Sequence, residues 1–177
     1  MSQKVVVVYR SKTGYAKRYA QWLAEALKAD LIENKNLSLD QLISYDSISC
    51  GGGIYAGQIS GLKALMKYFD QLKEKHLIAF ATGASTGKSQ EIQKVWETNL
   101  TEEQRKVVAM FYLRGGFDYS KLGMGDKVLM NLYKGILKKN ADQDEDAKGM
   151  LEAYEHPVDF TDEKNILPIV ELVHSFK

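Results

Sequence analysis

The stretch Val5-Val6-Val7-Val8-Tyr9-Arg10-Ser11-Lys12-Thr13-Gly14-Tyr15-Ala16 decides the fold of this chain. Its first five residues form an unbroken apolar, mostly β-branched run, which is typical of a strand buried on both faces of a parallel sheet. A turn with hydroxyl groups and a glycine follows, and residues 17–28 have the apolar spacing of a helix. The backbone N–H groups of such a turn and the positive end of the helix favour a phosphate group. Residues 11–16 are therefore a candidate phosphate site.

The composition is that of an ordinary globular protein. With 177 residues, 45% of them hydrophobic, the chain can bury one core, so we predict a single domain over residues 1–177. The net charge of +1 provides no broad positive field, and no nucleic-acid partner is expected. The single cysteine, Cys50, excludes an internal disulfide, and the first apolar run is too short for a signal peptide or a membrane span. We expect a soluble, cytoplasmic protein.

Strand-like and helix-like segments alternate along the chain, a pattern typical of an α/β fold with a parallel sheet. The predicted strands cover residues 5–9, 30–33, 44–50, 76–81 and 106–113. The predicted helices cover residues 17–28, 59–72, 89–100 and 161–176, with a brief helical turn at 39–43. We therefore expect a doubly wound three-layer sandwich whose five-stranded parallel sheet has the order 2-1-3-4-5.

Clusters of small residues follow the first, third and fourth predicted strands. The second cluster is Gly51-Gly52-Gly53-Ile54-Tyr55-Ala56-Gly57-Gln58, and the third is Thr82-Gly83-Ala84-Ser85-Thr86-Gly87. In a sheet of this order the three strands end side by side where the strand order reverses, which is where doubly wound proteins bind ligands. Small residues there let a flat ligand approach the backbone closely. The alternative is that each cluster is only a turn.

On these three loops the sequence resembles the flavodoxin-like family, and within it the flavodoxin-domain proteins related to the menaquinone-dependent protoporphyrinogen oxidases. The resemblance covers nearly the whole chain and implies noncovalently bound FMN. It implies that Ser11, Thr13 and the amides of residues 14–16 hold the FMN phosphate, and the positive charge of Lys12 or of Lys17 would add to the site. The family usually carries Thr at the last position of this loop, where this chain has Ala16. The missing hydroxyl contact would be worth about 1 kcal/mol.

The same resemblance implies that the other two loops border the flavin ring. Tyr55 is the candidate for stacking on the ring, and the third loop would bond the polar pyrimidine end, which tunes the reduction potential. The residues predicted to bind the cofactor are Ser11, Lys12, Thr13, Gly14, Tyr15, Ala16, Gly53, Ile54, Tyr55, Ala56, Gly57, Thr82, Gly83, Ala84 and Ser85. The chemistry would belong to the flavin, so no catalytic side chain is predicted. No metal site is predicted either, because the three histidines lie far apart in the sequence.

An insertion over about residues 115–160 separates the fifth predicted strand from the last helix. Residues 121–139 predict an amphipathic helix with several lysines, which either contacts a membrane surface, caps a site, or packs with a solvated basic face. Residues 141–146 are acidic and predict a mobile loop. In the oxidases that the sequence resembles, an insertion at this place lies beside the flavin and helps to define the substrate site. The stretch Gly116-Phe117-Asp118-Tyr119-Ser120-Lys121-Leu122 carries this part of the resemblance.

Three functions follow from these features. A flavin-dependent oxidoreductase acting on a quinone, a porphyrinogen or a similar apolar substrate agrees best with the insertion. A flavodoxin-type electron carrier agrees less well with a net charge of +1, because such carriers are typically strongly acidic. A flavodoxin-fold binding module that has lost FMN would account for Ala16.

Two other phosphate-binding functions disagree with the sequence. Residues 83–89 are one residue short of a Walker A loop, because Thr82 stands where that motif needs its first glycine. A response regulator needs acidic residues just after the first strand, where this chain has Arg10, Ser11 and Lys12.

Overall fold

The computed structural model describes residues 3–142 and 144–176. Met1, Ser2, Gln143 and Lys177 lie outside the described residues, and Gln143 is one position of the predicted acidic loop. The strands are β1 (Val5–Arg10), β2 (Asp30–Glu33), β3 (Ser47–Tyr55), β4 (Gln58–Ile59), β5 (His76–Gly83), β6 (Ala109–Arg114), β7 (Gly116–Phe117) and β8 (Val158–Asp159). The helices are α1 (Tyr15–Leu27), α2 (Leu62–Met66), α3 (Phe69–Leu72), α4 (Ser89–Asn99), α5 (Glu102–Val107), α6 (Met124–Asn140), α7 (Glu145–Ala153) and α8 (Leu167–Ser175).

The central sheet consists of five parallel strands in the order β2-β1-β3-β5-β6. Side chains alternate along each strand, so that Val6 and Val8 pack with α2, α3 and α4 while Val7 packs with α1 and α8. Helices therefore cover both faces of the sheet, as an all-parallel sheet requires. This architecture confirms the predicted doubly wound three-layer sandwich, with the order 2-1-3-4-5 among the long strands.

The glycines of the second loop lie in a strand rather than after one. The predicted strand at 44–50 is wrong at both ends, because β3 begins at Ser47 and continues through Gly51, Gly52 and Gly53 to Tyr55. Gly51 pairs with Phe80 on the neighbouring strand, and a Cβ at Gly51 would lie 1.9–2.3 Å from three atoms of the Phe80 ring. The ring occupies the space that a side chain at position 51 would need. The glycine run therefore marks close packing inside the sheet.

Three predicted segments begin or break at other places. The predicted helix 59–72 starts only at Leu62, because β4 pairs with β3 and Gly61 takes a φ of +84°, and it is divided into two short helices, α2 and α3, by a turn at residues 67–68. The predicted strand 106–113 starts three residues late, since Thr101 and Gln104 form a reciprocal cap that starts α5. The predicted helix 161–176 starts with a 3-10 turn over Glu163–Ile166, capped by the Asp162 side chain, and becomes α-helical only from Leu167.

The insertion is more ordered than the sequence indicates. The short strands β7 and β8 pair at its base, and α6 and α7 form a helical pair above them. The helix predicted at 121–139 is a 3-10 turn over Tyr119–Lys121 followed by α6. The mobile loop predicted at 141–146 is wrong for residues 144–146, because Asp144 caps α7 and Glu145 begins it, while residues 141–142 form a turn and Gln143 lies outside the described residues. No helix in residues 3–142 and 144–176 combines the length and the apolar character needed to cross a membrane.

Two buried serines on β3 give matched tests of the packing. Ser49 and Ser47 are both 0% exposed, but within the described chain the Ser49 hydroxyl has no hydrogen-bond partner, whereas Ser47 Oγ accepts a hydrogen bond from Gln3 Nε2 at 2.8 Å. We expect Ser49→Ala to raise the free energy of unfolding by about 1 kcal/mol, because it removes a buried polar group that gains nothing in return. Ser47→Ala should lower it by about the same amount. Urea denaturation measures both, and a loss of stability in Ser49→Ala would contradict this assignment.

Candidate functional site

The first loop joins β1 to α1 and is shaped by Gly14. This residue has a φ of +98°, a conformation that favours glycine, and it immediately precedes the first residue of α1. Ser11 Oγ accepts a hydrogen bond from the Gly14 amide at 3.0 Å, which holds the turn closed. The first amides of an α-helix have no partner within the helix, so α1 directs its N–H groups and its positive end at this loop. The helix starts two residues earlier than predicted and includes Tyr15 and Ala16.

The second loop is a tight hairpin between β3 and β4. Ala56 and Gly57 form its two-residue turn, and both have positive φ values, +48° and +78°, as in a type I′ turn. Tyr55 at the start of the turn reaches back to the first loop, where its hydroxyl lies 3.4 Å from Thr13 Oγ1. Lys12 Nζ lies 4.6 Å from the centre of the Tyr55 ring. Burial raises the pKa of the Tyr55 hydroxyl, so it stays protonated at neutral pH.

The third loop follows β5 and is held by a residue that the sequence analysis missed. Tyr112 on β6 donates a hydrogen bond from its hydroxyl to the Ser85 carbonyl at 2.8 Å. Ser85 Oγ in turn accepts from the Gly87 amide at 3.2 Å. A Cβ at Gly83 would lie 3.1 Å from Tyr112 Oη and 3.6 Å from Ile54 Cδ1, so a side chain there would be in close contact with Tyr112. No local sequence pattern identifies Tyr112, because its contacts depend on the pairing of β5 with β6.

A single cavity of about 690 Å³ brings the three loops together. Its lining includes all but two of the residues predicted to bind the cofactor, namely Ser11, Thr13, Tyr15, Ala16, Gly53, Ile54, Tyr55, Ala56, Gly57, Thr82, Gly83, Ala84 and Ser85. Lys12 and Gly14 do not line it. The Lys12 side chain is directed at Asp126 of α6, and Gly14 is the residue before α1. The cavity lies at the carboxyl ends of β1, β3 and β5, where the strand order reverses.

The insertion and α4 form the apolar walls of the cavity. Their lining residues were not predicted as site residues, and they are Ile92, Val95, Leu129, Met130, Leu132, Tyr133, Ile136, Leu137, Ala147 and Met150. On α4 the signal was present in the sequence, because Ile92 and Val95 extend the apolar stripe of Trp96 by one turn. On α6 the sequence indicated an apolar face and left open whether it contacts a membrane, caps a site or packs on the chain, whereas α7 was not predicted.

Ion pairs attach the insertion to two of the three loops. Lys12 Nζ in the first loop lies 2.6 Å from Asp126 Oδ1 of α6. Lys88 Nζ, just after the third loop, lies 2.6 Å from Asp146 Oδ2 of α7, and Thr86 Oγ1 donates to the same carboxylate at 3.4 Å. The hydrogen bond from Lys88 holds the pKa of the Asp146 carboxyl below its ordinary value. The insertion therefore covers the cavity while attached at both ends.

This second attachment predicts a measurable titration. We expect Lys88→Met to raise the Asp146 pKa toward its ordinary value of about 3.9, which an NMR titration of the carboxyl carbon measures. Because the lowered pKa belongs to the folded state, the contact stabilises the fold above a pH of about 4 and is lost as the pH falls through the lowered value. Lys94→Met is the control, since Lys94 also lines the cavity but makes no ion pair in the described part of the chain. An unchanged Asp146 pKa in Lys88→Met would contradict the contact.

The residues present fit FMN. The cavity volume lies within the roughly 300–1,000 Å³ usual for small-molecule sites. Its lining includes Ser11 and Thr13, which carry hydroxyls beside the positive end of α1, and Gly53 and Gly83, which present backbone without a side chain. Ala16 is 2% exposed and lines the cavity with a methyl group, so it contributes no hydroxyl. The predicted binding role of each residue stays a prediction.

Other reactive groups lie away from this cavity or are inert. Burial raises the pKa of the Cys50 thiol to about 12, so it stays protonated and is a core residue. The Arg114 guanidinium lies 3.6 Å from the centre of the Phe160 ring, and its Nε donates to the Ala84 carbonyl at 3.3 Å. Among the residues that the structure describes, no three His, Cys, Asp or Glu side chains group as metal ligands would.

Comparison with known proteins gives one family. The family model described as "Flavodoxin domain" matches residues 6–144. Among curated proteins none matches this chain. The chain is similar in structure to a flavodoxin, WrbA-like protein from Agrobacterium tumefaciens, with 23% identity, a TM-score of 0.45, and coverage of 75% of this chain and 92% of that one.

Two further solved structures show the same level of similarity. The two-electron reduced flavodoxin of Megasphaera elsdenii has 19% identity and a TM-score of 0.46, and the match covers 71% of this chain and 94% of that one. A flavoprotein in complex with FMN from Lactobacillus acidophilus has 18% identity and a TM-score of 0.42, with 64% and 93% covered.

Proposed function

This chain belongs to the flavodoxin-domain family, and we propose that it binds FMN noncovalently and works as a redox protein. The observation that carries the proposal is the convergence of three loops, distant in sequence, on one cavity at the edge where the strand order reverses. When bound there, FMN would supply reversible uptake and release of electrons, and the chain would supply binding, orientation and electrostatics.

Different residues of the cavity would contact the phosphate, the ring face and the polar edge of FMN. The hydroxyls of Ser11 and Thr13 and the first amides of α1 would hold the phosphate, with Lys12 nearby as a positive charge. Tyr55 and Ile54 would border one side of the ring, and residues 82–85 would bond its polar edge. The apolar walls of α4 and α6 would keep water from the ring, which strengthens each of these polar contacts.

We further propose that the protein is an oxidoreductase related to the menaquinone-dependent protoporphyrinogen oxidases, acting in the cytoplasm. The apolar wall of α6 supports this proposal, because an electron carrier has no need of an apolar chamber beside its flavin, whereas a small apolar substrate does. A porphyrinogen would be oxidised and a quinone reduced, with the electrons passing from one to the other. The alternative functions are a flavodoxin-type electron carrier and a binding module that lacks FMN.

Absorbance spectroscopy of the purified protein tests FMN binding first. We expect flavin absorbance and one FMN released per chain on denaturation; a colourless protein that does not take up added FMN would leave only the binding module. Steady-state oxidation of protoporphyrinogen with a quinone as acceptor then tests the oxidoreductase. Flavin absorbance with no such turnover, but with fast electron exchange with a ferredoxin-type protein, would assign the carrier function.

A further inference from the structure

Exposed apolar side chains are concentrated on α6. Of the eleven large hydrophobic residues that the described chain exposes, six lie on this one helix: Met124, Val128, Leu129, Leu132, Tyr133 and Ile136. Scattered exposed apolar residues are normal, but a contiguous patch of them marks an interaction surface. The patch therefore needs a partner that the rest of the chain does not provide.

The proposed cofactor site explains only part of this patch. Leu132 and Ile136 line the cavity and are also 69% and 56% exposed, so they lie at its rim. Met124 and Val128 do not line the cavity, and they are 87% and 64% exposed. At 100° per residue these four side chains cover one continuous arc of the helix surface. A ligand in the cavity would leave the outer half of the arc in water.

Two exposed lysines accompany the arc. Lys138 lies along one side of it and Lys139 lies within it, both near the C-terminal end of the helix. Lys127 and Lys134, also on that side, are partly buried over the rings of Tyr119 and Tyr154. The helix carries one carboxylate, Asp126, which is paired with Lys12. Asp144 and Asp146, beyond the end of the helix, are paired with Lys88. The face that α6 presents to solvent is therefore apolar, with two exposed lysines at its C-terminal end.

We propose that this face of α6 docks on the surface of an anionic lipid bilayer. A helix with an apolar arc and exposed lysines lies in the plane of the interface, with its apolar side chains among the acyl chains and those lysines at the headgroups. A second copy of this chain fits less well, because it would bring the lysines of both copies to one interface, where like charges repel. Docking would place the rim residues Leu132 and Ile136 against the lipid. If the proposed function holds, apolar substrates dissolved in the bilayer would reach the cavity from there.

Co-sedimentation with lipid vesicles tests the docking and does not depend on flavin. We expect the full chain to sediment with vesicles of phosphatidylcholine and phosphatidylglycerol. Its affinity for vesicles of phosphatidylcholine alone should be lower by about tenfold or more. The double variant Met124→Ser/Val128→Ser should lose about tenfold in affinity, since both side chains are exposed and lie outside the cavity. The matched control is Ile43→Ser/Leu167→Ser, two residues each 53% exposed elsewhere on the surface. The control should bind like the unchanged protein.

Variants that remove lysines test the contribution of positive charge in the same co-sedimentation experiment. Lys138→Gln/Lys139→Gln should weaken binding to the anionic vesicles about tenfold, whereas Lys63→Gln/Lys67→Gln removes the same charge from exposed positions far from α6 and should not. Absence of sedimentation, sedimentation unaffected by Met124→Ser/Val128→Ser, or equal binding to both kinds of vesicle would overturn the proposal. Self-association in solution that the same variant abolishes would assign the face to a second copy and overturn it too. A protein that docks but carries no flavin would refute the proposed function alone.

Discussion

We expect Gly51→Ala to lower the free energy of unfolding by about 3 kcal/mol or more, because the methyl group would overlap a fully buried ring. A Cβ at this position would lie 1.9–2.3 Å from three atoms of Phe80, which is 0% exposed and pairs directly with Gly51 across the sheet. The two strands involved, β3 and β5, are neighbours in the centre of the sheet. The ring has nowhere to move without displacing other buried side chains.

Gly149→Ala is the matched control. Gly149 lies in the middle of α7, and a Cβ there would meet nothing within 4 Å. Alanine is the better helix former, so this variant should be neutral or more stable by up to about 1 kcal/mol. Urea denaturation followed by circular dichroism measures both variants. Similar stability of Gly51→Ala and the unchanged protein would contradict the close approach of Phe80.

We expect Thr13→Glu to lower the affinity for FMN about a hundredfold, or by about 3 kcal/mol, because it places a carboxylate where the proposed function places the phosphate. Thr13 lines the cavity beside the start of α1, and its hydroxyl lies 3.4 Å from the Tyr55 hydroxyl. Quenching of flavin fluorescence on titration with the protein measures the affinity. Thr98→Glu, the same change at an exposed position on α4 outside the cavity, should leave it unchanged.

Riboflavin separates charge repulsion from a general disturbance of the loop. It lacks the phosphate, so Thr13→Glu should weaken riboflavin binding far less than FMN binding. Equal losses for both ligands would mean that the loop is deformed and does not face the phosphate. No loss for either ligand would place the phosphate elsewhere.

The sequence predicted the sheet because its signals are local. The apolar run at residues 5–9 identifies a strand buried on both faces whatever surrounds it. The glycine run at residues 51–53 was misinterpreted as a loop because its conformation depends on contacts with residues distant in sequence. Whether such a run turns or stays extended depends on what fills the space of the missing side chains, and at Gly51 the Phe80 ring does so from another strand.

The two helices that were not predicted, α5 and α7, show the same difference between local signals and contacts with distant residues. The reciprocal cap of Thr101 and Gln104 is a local signal for α5 that was present but not used. The acidic start of α7 looked like a mobile loop because Asp144 and Asp146 repel in isolation, and their contacts with Lys88, a residue distant in sequence, offset that repulsion. The part of the cavity wall that the insertion forms depends on such contacts between distant residues, so the loops and the stripe of α4 were predictable and the wall formed by α6 and α7 was not.

Amide hydrogen exchange with and without FMN would locate the cofactor directly. We expect FMN to slow exchange in residues 11–16, 53–57 and 82–85 together. Exchange in α5 should not change, because this helix leads into the amino end of β6, whereas the cavity lies at the carboxyl ends of the strands. Slowed exchange confined to other segments, or no effect of FMN on these three loops, would contradict a flavin site at this cavity.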